Sequence, residues 1–123
     1  MNRKLGVIAG LVLVLVVGHT ANAAQGSATV SIDDATPVYG QTVILTATVD
    51  PGFRTGLHTV CVHDAGMSQS DIVWHSETSY SDDVGLYAPN WSQSAATCTA
   101  SVVVYRAHGK RAVLGSLTFE VAG

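Results

Sequence analysis

Apolar and polar residues alternate most regularly between positions 42 and 49. The residues of one parity are apolar, namely Val43, Leu45, Ala47 and Val49. The residues of the other parity are mostly β-branched, namely Thr42, Ile44, Thr46 and Thr48. This period of two predicts a half-buried antiparallel strand. Turn residues flank it, with Pro37 and Gly40 before it and Asp50-Pro51-Gly52 after it.

Weaker alternation predicts further strands elsewhere, with polar loops between them. The candidate strands cover residues 28–32, 57–63, 72–75, 97–106 and 113–121, with a weaker candidate at 84–88. Residues 68–71 and 76–83 are polar and are predicted as loops. No segment after residue 23 has a helical period. About seven short strands separated by Gly, Pro, Asp and Asn predict an all-β antiparallel sandwich with Greek-key connections.

The N-terminal residues 1–23 have the features of a secretory signal peptide. Arg3 and Lys4 precede an apolar run from Leu5 to Val17, and the small residues Ala21 and Ala23 follow. The apolar run is too short for a bilayer-spanning helix, which needs roughly 20 residues. We expect cleavage after Ala23 and export to the extracellular space or the periplasm, with no membrane insertion afterwards.

The remaining residues 24–123 are enough for one domain with a modest core. They carry four basic and nine acidic residues, which gives a net charge of −5. This balance argues against nucleic acid and against anionic lipid surfaces as partners.

Two cysteines in an exported chain predict one disulfide, between Cys61 and Cys98. In the chain-entropy model such a bridge constrains the unfolded state by roughly 4 kcal/mol. The faces of the strands leave its geometry open. If Val60 and Val62 point to the core, Cys61 points outward, whereas Cys98 shares a face with buried residues. A bulge near Gly56 or Asp64 would reconcile the two faces, and so would a bridge between neighbouring strands.

The stretch Pro37-Val38-Tyr39-Gly40-Gln41-Thr42-Val43-Ile44-Leu45-Thr46-Ala47-Thr48-Val49 resembles the second-strand signature of bacterial immunoglobulin-like domains. The resemblance implies a seven-stranded sandwich used for adhesion, ligand display or spacing. Cys61, Trp74 and Cys98 also keep the Cys-Trp-Cys order of true immunoglobulin domains. Ala96, however, stands where those domains have a Tyr.

No catalytic motif is present, and we expect neither enzymatic activity nor a cofactor. The sequence has no Gly-x-Ser-x-Gly, no His-Glu-x-x-His and no phosphate-binding glycine loop. His63 and Asp64 could meet His75 if their strands form a hairpin, and zinc or copper accepts such ligands. Solvent-exposed histidines on polar strand faces are the commoner explanation, so no metal site is predicted.

The aromatic residues between the two cysteines are the best candidates for a function. Trp74 follows Ile72 and Val73, which favours core packing. Tyr80, Tyr87 and Trp91 lie among polar residues in the segment 76–91, and exposed loop aromatics favour recognition. We therefore predict a small exported immunoglobulin-like binding module that recognises a protein or glycan partner through these three residues.

Two other functions fit the sequence. One is a structural or accessory subunit that docks through an exposed sheet edge. The other is a secreted small-ligand carrier on a similar sandwich, like the chromoprotein apoproteins of actinomycetes, which have two disulfides. A pocket lined by Trp and Tyr would favour the carrier, and a flat exposed edge strand would favour docking.

Overall fold

A computed structural model describes residues 17–18, 26–50, 54–63, 66–105 and 109–123. In these ranges the chain forms seven strands of five or more residues and no α-helix. The seven strands are β1 (Ala28–Ile32), β2 (Thr42–Val49), β3 (Thr55–His63), β4 (Gly66–His75), β5 (Ser79–Gly85), β6 (Ala96–Tyr105) and β7 (Arg111–Val121). The all-β prediction is confirmed.

The strands form two antiparallel sheets that bury one core between them. The smaller sheet has the order β1-β2-β5, and the larger sheet has the order β7-β6-β3-β4. A two-residue strand, Val17–Gly18, pairs antiparallel with Ser116 and Gly115 at the β7 edge of the larger sheet. The rest of the predicted leader and its cleavage site lie outside the described residues.

Strand β2 has the predicted bounds and the predicted faces. Its apolar residues are buried, and the opposite parity faces solvent or is half-buried. The core continues across both sheets through a contiguous set of buried side chains, which includes Val30, Leu57, Cys61, Leu86, Cys98, Ala100, Val102, Leu117 and Phe119. Within the described ranges no helix is long or apolar enough to cross a membrane.

Two predicted loops are strands instead. Residues 68–71 belong to β4, and most of residues 76–83 belong to β5. Both strands lie at the edge of their sheet, where one face is only partly covered. Apolar and polar residues therefore do not alternate regularly in these two strands. Their sequences lack a period of two although their backbones are extended.

The disulfide joins neighbouring strands of the larger sheet. Cys61 on β3 lies directly opposite Cys98 on β6, and the two are bonded. Both residues are fully buried and face the core, while Val62 is exposed. The alternative in which Val60 and Val62 face the core is therefore not the one present. The bridge joins neighbouring strands, which is one of the geometries left open by the sequence.

The sandwich has two ends, the near end and the far end. The near end holds the start of β3, β5 and β7 and the last residues of β4 and β6. The far end holds the last residues of β3, β5 and β7 and the start of β4 and β6. Within the larger sheet the assignment follows from the antiparallel pairing of Thr55 with His75, of Gly56 with Val103 and of Tyr105 with Arg111. Strand β5 is placed by the hydrogen bond between Tyr80 and Thr55.

Candidate recognition site

Trp91, a predicted recognition residue, belongs to the core. Its side chain is fully buried, and its ring packs edge-on against Tyr39 with the centroids 5.3 Å apart. The indole Nε1–H donates to the Ser94 carbonyl at 2.6 Å. This local partner satisfies the indole, so a tryptophan in a polar stretch of sequence can be buried. The expectation of an exposed binding residue is wrong here.

Tyr80, the second predicted recognition residue, is also buried, with 8% of its surface exposed. It lies on the inner face of β5, and its hydroxyl is hydrogen-bonded to the Thr55 hydroxyl at 2.7 Å. Burial raises the pKa of Tyr80 above its ordinary value of 10.0, and the bond to Thr55 offsets part of that rise. The prediction that Tyr80 is exposed is therefore wrong. It relied on the polar neighbours of Tyr80 in sequence, which lie on the same strand, whereas the Tyr80 ring faces inward.

Tyr87 is exposed, as predicted, and its role in recognition stays a prediction. Sixty per cent of its surface is accessible. Its ring covers Gly85, where an added Cβ would lie 2.4 Å from the Tyr87 Cε1. Tyr87 follows the far end of β5, whereas Tyr80 lies at the near end. The three predicted residues therefore do not form one surface.

A polar contact closes the gap between the edge strands β4 and β5. The His75 Nε2 lies 2.9 Å from the Asp82 carboxylate, and the His75 ring stacks on Tyr80 with centroids 3.8 Å apart. Both His75 and Asp82 are largely buried. The pair thereby links the two sheets at the side of the sandwich formed by the edge strands β4 and β5. We interpret it as structural.

The histidines considered for a metal site do not converge. Thr55 pairs with His75 and His63 with Gly66, so His63 and His75 lie at opposite ends of the β3–β4 hairpin. The His63 Nε2 is 3.0 Å from the Asn90 carbonyl oxygen. Among the described residues no three His, Cys, Asp or Glu side chains are grouped to hold a metal ion.

The larger sheet has an outer face, which is turned away from β1, β2 and β5. Cross-strand pairing places its residues in rows that run across β4, β3, β6 and β7. From the near end, three successive rows are Trp74-Gly56-Val103-Val113, Ile72-His58-Ser101-Ser116 and Ser70-Val60-Thr99-Thr118. The last row at the far end is Met67-Val62-Thr97-Glu120.

An aromatic–arginine cluster, consisting of Arg54, Trp74 and Tyr105, occupies the near end of this outer face. The Trp74 and Tyr105 rings are 5.5 Å apart with planes inclined by 33°. The Arg54 guanidinium carbon lies 5.1 Å from the Trp74 ring centroid, within the range of a cation–π contact. Tyr105 is 55% exposed. Trp74, which the sequence placed in the core, is half-buried on the surface.

Gly56 makes this cluster possible. It lies on β3 between Trp74 on β4 and Val103 on β6. A Cβ at Gly56 would lie 2.9 Å from the Ile72 Cδ1 and 3.1 Å from the Trp74 Cε3, so these side chains fill the space that the glycine leaves. The two rings can therefore meet above β3. Val103 faces outward but is fully buried, because the side chains around it cover it.

Positive charge collects beside the cluster. Arg111 pairs with Tyr105 across β6 and β7, and Arg111 and its neighbour Lys110 are exposed. Partial burial lowers the pKa of His58 below its ordinary value of 6.5, the nearby Arg111 lowers it further, and Asp71 opposes them. The charge of Arg111 therefore acts over the middle of the outer face.

Sequence reasoning missed this cluster because its members are far apart in the chain and each has an ordinary local explanation. Trp74 follows two aliphatic residues, and Tyr105 follows three valines at the end of its strand. One local signal was available. Gly56 lies inside an extended segment, and a glycine there often marks a close approach by another group.

An apolar concavity lies elsewhere, between β1 and β7. Its volume is about 290 Å³, and it is lined by Ile32, Ala35, Thr36, Leu117, Thr118, Phe119 and Glu120. This groove contains neither Trp nor Tyr, so it lacks the lining expected for the carrier alternative.

The exposed edge of β4 is partly occupied. The Asn90 side-chain amide donates to the Met67 carbonyl at 3.1 Å, and the Gln69 amide donates to the Gly85 carbonyl at 2.9 Å. The pairing with β3 is also interrupted between Cys61 and Val62. Irregular edges of this kind disfavour strand addition.

No protein-family model matches the chain, and no curated protein sequence is significantly similar to it.

Proposed function

We propose that this protein is a small exported immunoglobulin-like module that binds a glycan, without catalysis, through the near end of the outer face. The aromatic–arginine cluster is the observation that carries the proposal. The module is one domain spanning residues 24–123. The proposed recognition surface is a sheet face, whereas the sequence favoured the segment 76–91.

The number of strands and their division into two antiparallel sheets support the immunoglobulin-like part of the proposal, while the position of the fourth strand differs. Seven strands divide into β1-β2-β5 and β7-β6-β3-β4. The constant-type immunoglobulin order places the first, second, fourth and fifth strands in one sheet and the third, sixth and seventh in the other. Here the fourth strand pairs with the third instead. The disulfide also differs, because it lies within one sheet and does not join the two.

The disulfide supports export. Both cysteines of the chain are in the bridge, and such bonds persist in oxidising compartments such as the periplasm or the extracellular space. The leader-like residues 1–23 point to the same compartments.

The aromatic part of the cluster supports binding to sugars. An exposed ring on a rigid strand offers a flat apolar surface at a low cost in conformational entropy. Tyr105 presents such a ring, and Trp74 supports it from the side. Sugar rings have apolar C–H faces that pack on aromatic rings, and their hydroxyls can bond to neighbouring polar groups.

The centre of the outer face also suits a glycan better than a protein. Behind the cluster lie small hydroxyl side chains in register, among them Ser101, Ser116, Thr99 and Thr118. Protein interfaces have an apolar central region in which Ser is depleted. On this face the exposed apolar residues lie at the two ends, with Tyr105 and Val113 at one and Val62 and Met67 at the other.

Two exposed tyrosines provide a matched test. Tyr105 is 55% and Tyr87 60% exposed, but only Tyr105 lies on the proposed surface. The mature protein and the variants Tyr105→Ala and Tyr87→Ala would be applied to an array of microbial and plant glycans. We expect Tyr105→Ala to weaken binding by about 2 kcal/mol and Tyr87→Ala to leave it unchanged, with both variants as stable as the wild type to within about 0.5 kcal/mol.

The opposite pattern, a loss with Tyr87→Ala alone, would transfer the site to the segment 76–91. A wild-type protein that binds no glycan on the array would contradict the proposal.

A further inference from the structure

We infer that the glycan is anionic, an acidic polysaccharide whose carboxylate, sulfate or phosphate groups are held by Arg54 and Arg111 on the two sides of Tyr105. This inference rests on the proposed function and specifies the ligand class of the same site. Three features of the described residues carry it.

The first feature is the position of the two arginines. Arg111 on β7 is the cross-strand partner of Tyr105 on β6, and Arg54 precedes β3 on the other side of β6. Neighbouring strands are about 4.8 Å apart, so the backbones at Arg54 and Arg111 are separated by about 10 Å. The arginines therefore flank one exposed aromatic ring, an arrangement suited to a sugar residue with an acidic group on one side or on both.

The second feature is the state of the Arg54 guanidinium. Its carbon lies 5.1 Å from the Trp74 ring centroid, and a cation–π contact of this kind does not use the N–H donors of the guanidinium. The N–H groups of a guanidinium point outward in that plane and match the oxygens of carboxylates, sulfates and phosphates. Arg54 is exposed. The donors of its guanidinium are therefore accessible to an oxyanion.

The third feature is the separation of charge. Only four basic residues follow residue 23, whereas nine acidic residues do, and Arg54, Lys110 and Arg111 all lie at the near end. In the rows of the outer face described above the only carboxylate is Glu120, which accepts a hydrogen bond from Thr97 at the far end. Two acidic side chains, Glu77 and Asp82, also lie at this end, where both contact His75. The exposed arginines on the outer face supply the positive charge that attracts an anionic chain.

The test compares polymers that differ in charge but share a backbone. Polygalacturonate would be compared with its methyl ester, and dextran sulfate and dextran phosphate would each be compared with dextran. Binding would be measured by calorimetry on the mature, disulfide-bonded protein. We expect at least one acidic polymer to bind tenfold or more tightly than its uncharged counterpart, and the responding pair identifies the acidic group.

Charge variants assign the effect to the two arginines. Arg54→Gln and Arg111→Gln should each reduce the affinity for the acidic polymer about tenfold, and Arg54→Lys should recover little because an ammonium lacks the planar donor set. Asp83→Asn is the control, since it removes one negative charge from the smaller sheet. If net charge alone governed binding, this control would strengthen it. We expect no change.

The outcomes separate the inference from the proposed function. Equal affinity for charged and uncharged polymers, with a loss in Tyr105→Ala only, would retain the glycan module and overturn the anionic ligand. Arginine-dependent binding of poly-glutamate with no binding of the acidic polysaccharides would overturn both in favour of an acidic protein partner. Unchanged binding in Arg54→Gln and Arg111→Gln would also overturn the inference.

Discussion

Truncation of Trp91 tests whether this residue is a core residue or a binding residue. The Trp91 side chain is fully buried and packs against Tyr39. A large aromatic side chain removes about 200 Å² from water, which at about 25 cal/mol per Å² corresponds to about 5 kcal/mol. The compactness of the unfolded chain reduces that value by roughly 10–40%, and the lost edge-on contact adds about 1 kcal/mol.

We therefore expect Trp91→Ala to lower the free energy of unfolding by about 4 kcal/mol. Single domains of this size have about 5–15 kcal/mol in total, so the variant should unfold at a much lower denaturant concentration. Trp91→Phe keeps most of the ring volume but loses the hydrogen bond to the Ser94 carbonyl. Its expected cost is about 1–2 kcal/mol.

Urea denaturation followed by circular dichroism gives the free energy of unfolding of the wild type, Trp91→Ala and Trp91→Phe. Tyr87→Ala is the control, because it truncates an exposed aromatic side chain. The expected order of stability is wild type and Tyr87→Ala, then Trp91→Phe, then Trp91→Ala. A Trp91→Ala protein within 1 kcal/mol of the wild type would refute the core position of Trp91 and restore it as a recognition residue.

Three further predictions concern the frame of the site. Gly115→Ala should lower the free energy of unfolding by about 1–3 kcal/mol in urea melts, because the new Cβ would clash with the backbone oxygen of Ala28. Gly85→Ala is the control, because its new Cβ meets only the movable side chain of Tyr87. Equal stability of the two variants would contradict the prediction. An NMR titration should give His58 a pKa below 6.5, and this pKa should rise in Arg111→Gln. Because the unfolded state binds the proton more tightly than the folded state, the free energy of unfolding should fall as the pH drops below 6.5. A pKa at or above 6.5 would be inconsistent with this prediction. Reduction of the disulfide should cost about 2–4 kcal/mol, measured by denaturation with and without reductant, and an unchanged midpoint would exclude a stabilising role.

The sequence predicted the fold well wherever a strand has one covered and one open face. Strand β2 has such faces, and its bounds and burial follow directly from the alternation of Val43, Leu45 and their neighbours. The prediction failed for β4 and β5, which are edge strands. There Asp82 occupies an inner-face position and is accommodated by His75, a partner that no local pattern reveals.

The site could be predicted only in kind, as a group of aromatic residues on a sandwich. Tyr80 and Trp91 are hidden by polar neighbours in sequence, but Thr55 and the Ser94 carbonyl satisfy their polar atoms in the core. Conversely, Trp74 reaches the surface because Gly56 leaves room for its ring. Both outcomes depend on contacts between strands, which the order of residues along the chain does not give.

The two tryptophans provide the most direct measurement of the recognition surface. Trp74 belongs to the aromatic–arginine cluster, and Trp91 lies in the core with its indole N–H bonded to Ser94. A ¹⁵N-labelled protein has two indole N–H signals, which the variants Trp74→Phe and Trp91→Phe would assign before the tightest-binding glycan is titrated in. We predict that the Trp74 signal shifts in a saturable manner while the Trp91 signal stays in place. A saturable shift of Trp91, with Trp74 unmoved, would contradict binding at the outer face.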